Sequence, residues 1–340
     1  MFRSKPKGPR TVIITGASAG IGRAIAHRFA QAGDRIGLIA RDAVALETVR
    51  KELYDRGTEV AFEAVDVADA AAVFGAAERL EQKLGKIDVW INDAMLTVFS
   101  PVAEMTPEEF RRVTEVTYLG FVHGTMAALK SMRSRRKGRI IQVGSALAYR
   151  GIPLQSAYCG AKHAIRGFTD SLRAELEHES SGIRISIVEL PAVNTPQFDW
   201  ARAHLSHSPR PMGRPVQPEV AASAVFHASR GRWREYWLGV PTFLTILGDA
   251  ALPGVMDRYL ARFAVEGQQT SRPIGSQRRD NLEQPVTDLH RTRGSFGEEA
   301  GTWAPLIAGE VARVGLFAGV ALVGLLLGVG AGFGWARRRS

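Results

Sequence analysis

Between Thr11 and Leu190, short apolar β-branched runs alternate with amphipathic stretches of helical length, and this alternation limits the possible folds more than any other feature of the chain. The strand-like runs are Val12–Thr15, Ile36–Ala40, Val60–Val67, Val89–Asn92, Arg139–Val143 and Ile183–Leu190. The helical stretches are Ile21–Ala32, Ala43–Arg56, Asp69–Leu84, Pro107–Ser131 and Ser156–Glu177, with Asp69 placed as an N-cap. Strands separated by helices pair in parallel, because each crossover must carry the chain back to the same end of the sheet. The pattern predicts an α/β fold: a doubly wound parallel sheet with helices on both faces, in a single domain over residues 11–265.

The first loop reads Thr15-Gly16-Ala17-Ser18-Ala19-Gly20-Ile21-Gly22 and joins the first strand to the first helix. Glycines there permit a tight turn and close backbone approach to a pyrophosphate, which rests on the helix N-terminus. A glycine trio alone is weak evidence; its position between strand and helix makes it informative. The second strand ends Leu38-Ile39-Ala40-Arg41-Asp42. Ala40 offers no carboxylate to a ribose 2′-hydroxyl, whereas the Arg41 guanidinium can pair with a 2′-phosphate. The plainer alternative is a surface arginine after a strand; the functional reading is NADP(H).

A third constellation is Tyr158-Cys159-Gly160-Ala161-Lys162, with Ser145 just beyond the fifth strand. Tyr158 and Lys162 share a helix face. An ammonium beside the phenol is expected to lower its pKa and fit it for proton transfer, with the Ser145 hydroxyl holding a carbonyl oxygen next to it.

Together these residues resemble the short-chain dehydrogenase/reductase (SDR) family, from Arg10 to about Glu266. The resemblance implies a Rossmann fold and an NADP(H)-dependent exchange of hydride between a nicotinamide and a carbonyl or alcohol substrate. It implies that Gly16, Gly20 and Gly22 line the pyrophosphate, Ser18 and Arg41 the 2′-phosphate, and Asp66 the adenine. Ile21, Val67 and Asn92 complete the cofactor-binding set, and Thr195 meets the nicotinamide carboxamide. Ser145, Tyr158 and Lys162 are the implied catalytic residues, with Thr117 at the relay position; Tyr158 and Lys162 also belong to the cofactor-binding set, Lys162 holding the nicotinamide ribose. Three positions depart from the family pattern. Met95 ends Asn92-Asp93-Ala94-Met95 where the family has a small residue. Thr117 stands in place of the relay asparagine, and Leu190-Pro191 replaces Pro-Gly. These departures motivate a rival reading, a catalytically weak membrane-tethered NADP(H) sensor. The intact serine, tyrosine and lysine weigh against it.

Outside this region, composition carries the argument. The only cysteine, Cys159, excludes a disulfide framework and a cysteine zinc site within one chain, and reads as a small packing residue. The eight histidines show no metal-ligand spacing, so no metal is expected. The net charge is +10, but the basic run Lys130–Arg139 has no interleaved aromatics and reads as a solvated helix end, so no nucleic-acid partner is expected. Residues 1–10 form a basic N-terminal segment, and no signal peptide is evident. Residues 198–217 read as a mobile loop with partial helix, and Trp233–Phe263 is rich in large apolar residues. Residues 266–303 have the composition of a polar linker, and 304–340 that of a membrane anchor. Val314 to Trp335 carries no charge, and as a helix it would reach about 33 Å against a hydrocarbon core of about 30 Å. Gly324, Gly328 and Gly332 would fall on one helix face, permitting self-association as a homo-oligomer. Arg337–Arg339 pull towards the cytoplasm and so compete with a cytoplasmic catalytic domain. The missing signal peptide and the intracellular cofactor favour the cytoplasmic domain. A tether of this kind suits a lipophilic substrate.

Overall fold

The computed structural model describes residues 8–275 and 277–315. The chain alternates β1 (Thr11–Thr15), α1 (Gly20–Ala30), β2 (Arg35–Ala40), α2 (Ala43–Tyr54), β3 (Val60–Ala64), α3 (Ala70–Leu84) and β4 (Ile87–Asn92). Next come a two-residue β5 (Val98–Phe99), α4 (Pro107–Thr114), α5 (Gly120–Met132), β6 (Gly138–Val143), α6 (Ser156–His178) and β7 (Ile183–Glu189). The remainder comprises α7 (Gln197–Trp200), β8 (Arg202–Ala203), β9 (His207–Pro209), α8 (Pro218–Ala228), β10 (Glu235–Leu238), α9 (Gly239–Ala251), α10 (Pro253–Gly267), β11 (Gln269–Pro273) and β12 (Leu306–Ala308).

The main sheet has eight strands in the order β12-β10-β7-β6-β4-β1-β2-β3. All pair in parallel except β12, which closes the β10 edge antiparallel. This is the expected doubly wound Rossmann sheet, extended by two strands. All five residues of β1 are buried, as a strand covered on both faces requires. One core packs α1, α2 and α8 against one face; the other packs α3, α4, α5 and α6 against the opposite face. Asp69 caps α3 as expected, accepting from the Ala72 amide at 3.0 Å. Strand order reverses at β1, whose neighbours are β2 on one side and β4 on the other, and a crevice opens there.

The structure corrects the sequence reading in several places. The single helix expected over Pro107–Ser131 is broken by a wide π-helical turn at Glu115–Leu119, where the Thr117 hydroxyl is drawn to the main chain of Leu96. Residues 198–217 contain a short helix and two paired strands, and Trp233–Phe263 divides into β10, α9 and part of α10. The basic run is a paired surface: Lys130 reaches Glu78 at 2.7 Å and Arg133 reaches Glu179 at 2.8 Å.

The largest difference concerns residues 266–303, expected as a linker. After α10, β11 pairs antiparallel with β9. The chain then crosses the carboxyl end of the sheet as a strap. Leu282 is 0% exposed within the α3–α6 core, and Val286 is buried too. Gly294 lies against the main chain of Thr195, where a Cβ would come 2.3 Å from the carbonyl oxygen. Its amide donates to the Asn194 carbonyl at 3.1 Å, and the Gln217 amide donates to Gly301 at 2.8 Å. The polar composition misleads because the segment is held through its carbonyls by arginines, with only a few apolar anchors. Among the described residues no helix is long and apolar enough to cross a membrane. All but the first two residues of the expected span 314–335 lie outside the described residues, as does most of the basic segment 1–10.

Packing at Leu282 gives a direct check. Leu282→Ala should lower unfolding stability by about 2–4 kcal/mol in denaturant titration. A linker leucine would cost less than about 0.5 kcal/mol.

Candidate active site

The crevice at the strand-order reversal is built by close backbone contact. Gly16 has φ +73° and Gly20 φ +55°, conformations that strain any L side chain. A Cβ on Gly16 would lie 2.8 Å from the Ala94 backbone, and one on Gly22 only 2.3 Å from the Gly16 carbonyl oxygen. The Thr15 hydroxyl ties the loop to the end of β4, accepting from the amides of Asp93 at 3.1 Å and Ala94 at 3.3 Å. The N-terminus of α1 thereby faces the cleft with its first amides, the arrangement that favours an anion.

One cavity, of about 160 Å³, follows this loop. Gly16, Ser18, Gly20, Ile21, Arg41, Asp66, Val67 and Thr195 all line it, so the structure gathers most of the expected cofactor set. Gly22 packs behind the loop against Gly16, Tyr158 and Lys162 line the neighbouring cavity, and Asn92 faces away from both. Asn92 is fully buried, donates to Gln142 at 2.8 Å and Thr125 at 3.1 Å, and accepts from the Trp90 indole at 2.8 Å. Asn92 therefore braces β4 against α5 and β6, while its neighbour Asp93 faces the cleft. Asp66 caps the following turn through the Ala68 amide at 2.9 Å and pairs with Arg112.

The strap forms the outer wall. Arg41 donates to the carbonyls of Asn281 at 2.5 Å, Leu282 at 3.2 Å and Glu283 at 2.9 Å. The Gly20 amide, one of those at the helix N-terminus, donates to the Arg291 carbonyl at 3.0 Å. Asn281, Pro285, Val286 and His290 join the cavity lining. They are not legible in the residue pattern, because Arg41 holds the strap through main-chain carbonyls some 240 residues away.

A second cavity, of about 520 Å³, shares Ile21, Asp93, Met95, Thr195 and Gln197 with the first. Ser145, Tyr158 and Lys162 stand at its inner end. The Ser145 hydroxyl, which accepts from the Leu147 amide at 3.2 Å, stands beside the Tyr158 phenol and acts to lower its pKa. Lys162 is almost fully buried and donates to the Val143 carbonyl at 2.7 Å, its ammonium 5.5 Å from the centre of the Tyr158 ring. The expectation that Lys162 lowers the tyrosine pKa does not hold in this arrangement. Burial pushes the phenol above its ordinary value, and Ser145 opposes that. Burial likewise lowers the pKa of Lys162, while Asp93 and Glu189 oppose it. Thr117 is fully buried with its hydroxyl committed to Leu96 at 2.9 Å in both directions, so it does not act as the relay residue in this arrangement. Cys159 packs in the core of α6, where burial pushes its thiol up to about 11.

Sequence reasoning missed two buried carboxyls. Burial raises the pKa of Asp93, and Lys162 opposes the rise. Glu189, at the end of β7, is 0% exposed, and neither of its oxygens has a hydrogen-bond partner. Its carboxyl packs against Gly144, where a Cβ would come 2.2 Å from Oε2.

Comparison with known proteins agrees with this geometry. Residues 10–205 match the family described as short chain dehydrogenase. The chain belongs to that family. It is accordingly an oxidoreductase of the dehydrogenase/reductase class that works with a pyridine nucleotide. The chain is 30% identical over 285 residues to the uncharacterized oxidoreductase YxnA of Bacillus subtilis, covering 83% of this chain and 80% of that protein. It is 36% identical over 193 residues to the dehydrogenase/reductase SDR family member 7B of Bos taurus, covering 54% of this chain and 58% of that protein. Among solved structures it resembles an alcohol dehydrogenase from the archaeon Thermococcus sibiricus complexed with 5-hydroxy-NADP. That match has a TM-score of 0.59 and 28% identity, over 67% of this chain and 95% of the other. A metagenomic short-chain oxidoreductase in complex with NADP matches with a TM-score of 0.57 and 25% identity, over 67% and 96%.

Glu189 has a pH signature. Burial, then the neighbouring Glu235, raise its pKa from 4.5 to about 8, while Lys162 and Arg166 oppose the rise. The unfolded chain ionises this carboxyl near 4.5 and the folded protein near about 8. The stability it contributes is thus whole below the first value and lost as pH rises to the second. Glu189→Gln does not titrate, so its unfolding free energy should gain on wild type across that window by about 1 kcal/mol per pH unit. Thermal melts over the same range measure the gain; a constant offset would show that Glu189 is ionised in the fold.

Proposed function

We propose that this chain is an NADP(H)-dependent carbonyl reductase or alcohol dehydrogenase acting on a lipophilic substrate. In this reading the C-terminal segment tethers it to a membrane, with the catalytic domain facing the cytoplasm. The carrying observation is that Ser145 and Tyr158 meet at the inner end of a roomy cavity that is continuous in its lining with the glycine-loop cavity. The site fits a dinucleotide because the close glycine contacts set the N-terminus of α1 on a cavity lined by Gly16, Ser18 and Gly20, an arrangement that favours an anion. Ser18 and Arg41, with no carboxylate at Ala40, support the 2′-phosphate form, and two of the similar solved structures hold an NADP-type ligand.

When bound, the nicotinamide supplies or accepts the hydride. Tyr158 gives its proton to the substrate oxygen in reduction and takes it back in oxidation. Burial raises the phenol's pKa, so Tyr158 is protonated near neutral pH, and release of that proton rests on Ser145 and Lys162 stabilising the phenolate as it forms. Ser145 orients the substrate oxygen from beside the phenol. Lys162, fixed by Val143, places a cation where the phenol loses its proton. Met95 lies where the two cavities meet and fills space beside the reacting carbon. The lipophilic substrate class rests on the apolar outer walls of the larger cavity, including Leu244, Met256, Tyr259 and Leu260. The sensor reading has no use for Ser145, Tyr158 and Lys162 gathered on one cavity.

A panel of lipid and small polar carbonyls assayed with NADPH tests the substrate class. Tyr158→Phe should lower turnover about 10²–10⁴-fold and leave NADPH affinity nearly unchanged by fluorescence titration. Retained turnover would remove Tyr158 as the acid. Arg41→Ala should weaken NADPH at least about tenfold more than NADH, as judged by the two dissociation constants. Equal losses would make Arg41 only an anchor for the strap.

A further inference from the structure

The α9–α10 hairpin turns apolar side chains outward. Val240 and Leu244 stand four residues apart on α9. Val255, Tyr259 and Phe263 repeat at the same spacing on α10, and Leu252 lies at the corner. All six are at least 50% exposed. The four-residue spacing puts each set on one helix face. Clustered apolar exposure of this kind marks a contact surface rather than scattered surface residues. The hairpin is also the outer wall of the catalytic cavity: Leu244 and Tyr259 line it, although both are largely exposed. The mouth of the cavity therefore opens through the apolar face. Arg258 and Arg262, both exposed, flank the α10 stripe.

The place where the chain leaves the described structure indicates the occupant of this face. The helical turn at 309–315 packs Ala312 against Trp237 and against Ile246 of α9. The described chain therefore ends beside α9; residues 316–335, which carry no charge, and then Arg337–Arg339 follow in the sequence. An apolar stripe edged with arginines is the composition of a surface that lies in a lipid interface.

We infer that the α9–α10 hairpin rests in the bilayer interface, its stripe among the acyl chains and Arg258 and Arg262 among the headgroups. A lipophilic substrate would then enter the catalytic cavity sideways from the membrane. This deepens the tethered-enzyme reading and rests on it.

The test uses the full chain in vesicles of phosphatidylcholine and phosphatidylglycerol. Val240→Cys, Phe263→Cys and, on the remote helix α2, Tyr54→Cys are each labelled with an environment-sensitive fluorophore. Native Cys159 is buried and its thiol stays protonated, so it does not compete for label. Flotation comes first. Lipids brominated on their acyl chains should then quench the probes at 240 and 263 about twofold and spare the one at 54; aqueous iodide should do the reverse. Quenching of all three probes by iodide would overturn the inference. So would probes at 240 and 263 that neither quencher reaches, because the face would then be covered by protein, either a second copy or residues 316–335 folded back. A chain that fails to float refutes the tether itself. A chain that floats with iodide-accessible probes refutes only the hairpin's place in the bilayer.

Discussion

A pair of close backbone contacts at the glycine loop organises the rest. Gly16 must approach Ala94, and Gly22 must approach Gly16, within distances no Cβ tolerates. Only that approach lets the end of β1 and the end of β4 meet at the strand-order reversal, with Thr15 bonded to Asp93 and Ala94. The helix N-terminus, the start of the substrate cavity and the inward position of Asp93 all follow from it. A single methyl group there would displace the loop from the site that α1 is positioned to serve.

A second constraint is electrostatic. The inner end of the site buries Lys162, Asp93, Glu189 and the Tyr158 phenol within one region of low polarity. Desolvation is the largest influence on each, and it drives all four towards their neutral forms. The Val143 carbonyl fixes the Lys162 ammonium, and Ser145 beside the phenol opposes the rise in its pKa. Behind them, Glu235 pairs with Arg313, just ahead of the uncharged segment, and with the Tyr149 hydroxyl. The catalytic end of the sheet and the start of the apolar C-terminal segment therefore share one buried polar cluster.

Legibility in the sequence followed the range of the interactions. The alternation of strands and helices, the Asp69 cap, the glycine loop and the Tyr158–Lys162 face depend on neighbours a few residues apart, and each is found where expected. Asn92, Thr117 and the strap were misread for one reason. Asn92 is turned inward by Gln142 and Thr125, Thr117 by Leu96, and Asn281–Glu283 are held by Arg41. All of these partners are remote in sequence; Thr117 bonds a main chain, and the strap is held by its own carbonyls, so neither contact leaves a mark on the residue pattern.

The sequence alone determined the doubly wound sheet, the anion-binding loop and the identity of the serine, tyrosine and lysine, because periodicity, turn chemistry and helical spacing are local. Only the tertiary structure decided that a polar stretch becomes a wall of the cofactor cleft and that Asp93 rather than Asn92 faces it. It also decided that desolvation, opposed by Ser145, sets the tyrosine pKa. Burial and long-range hydrogen bonding depend on which distant segments meet, and that is settled only once the chain has packed.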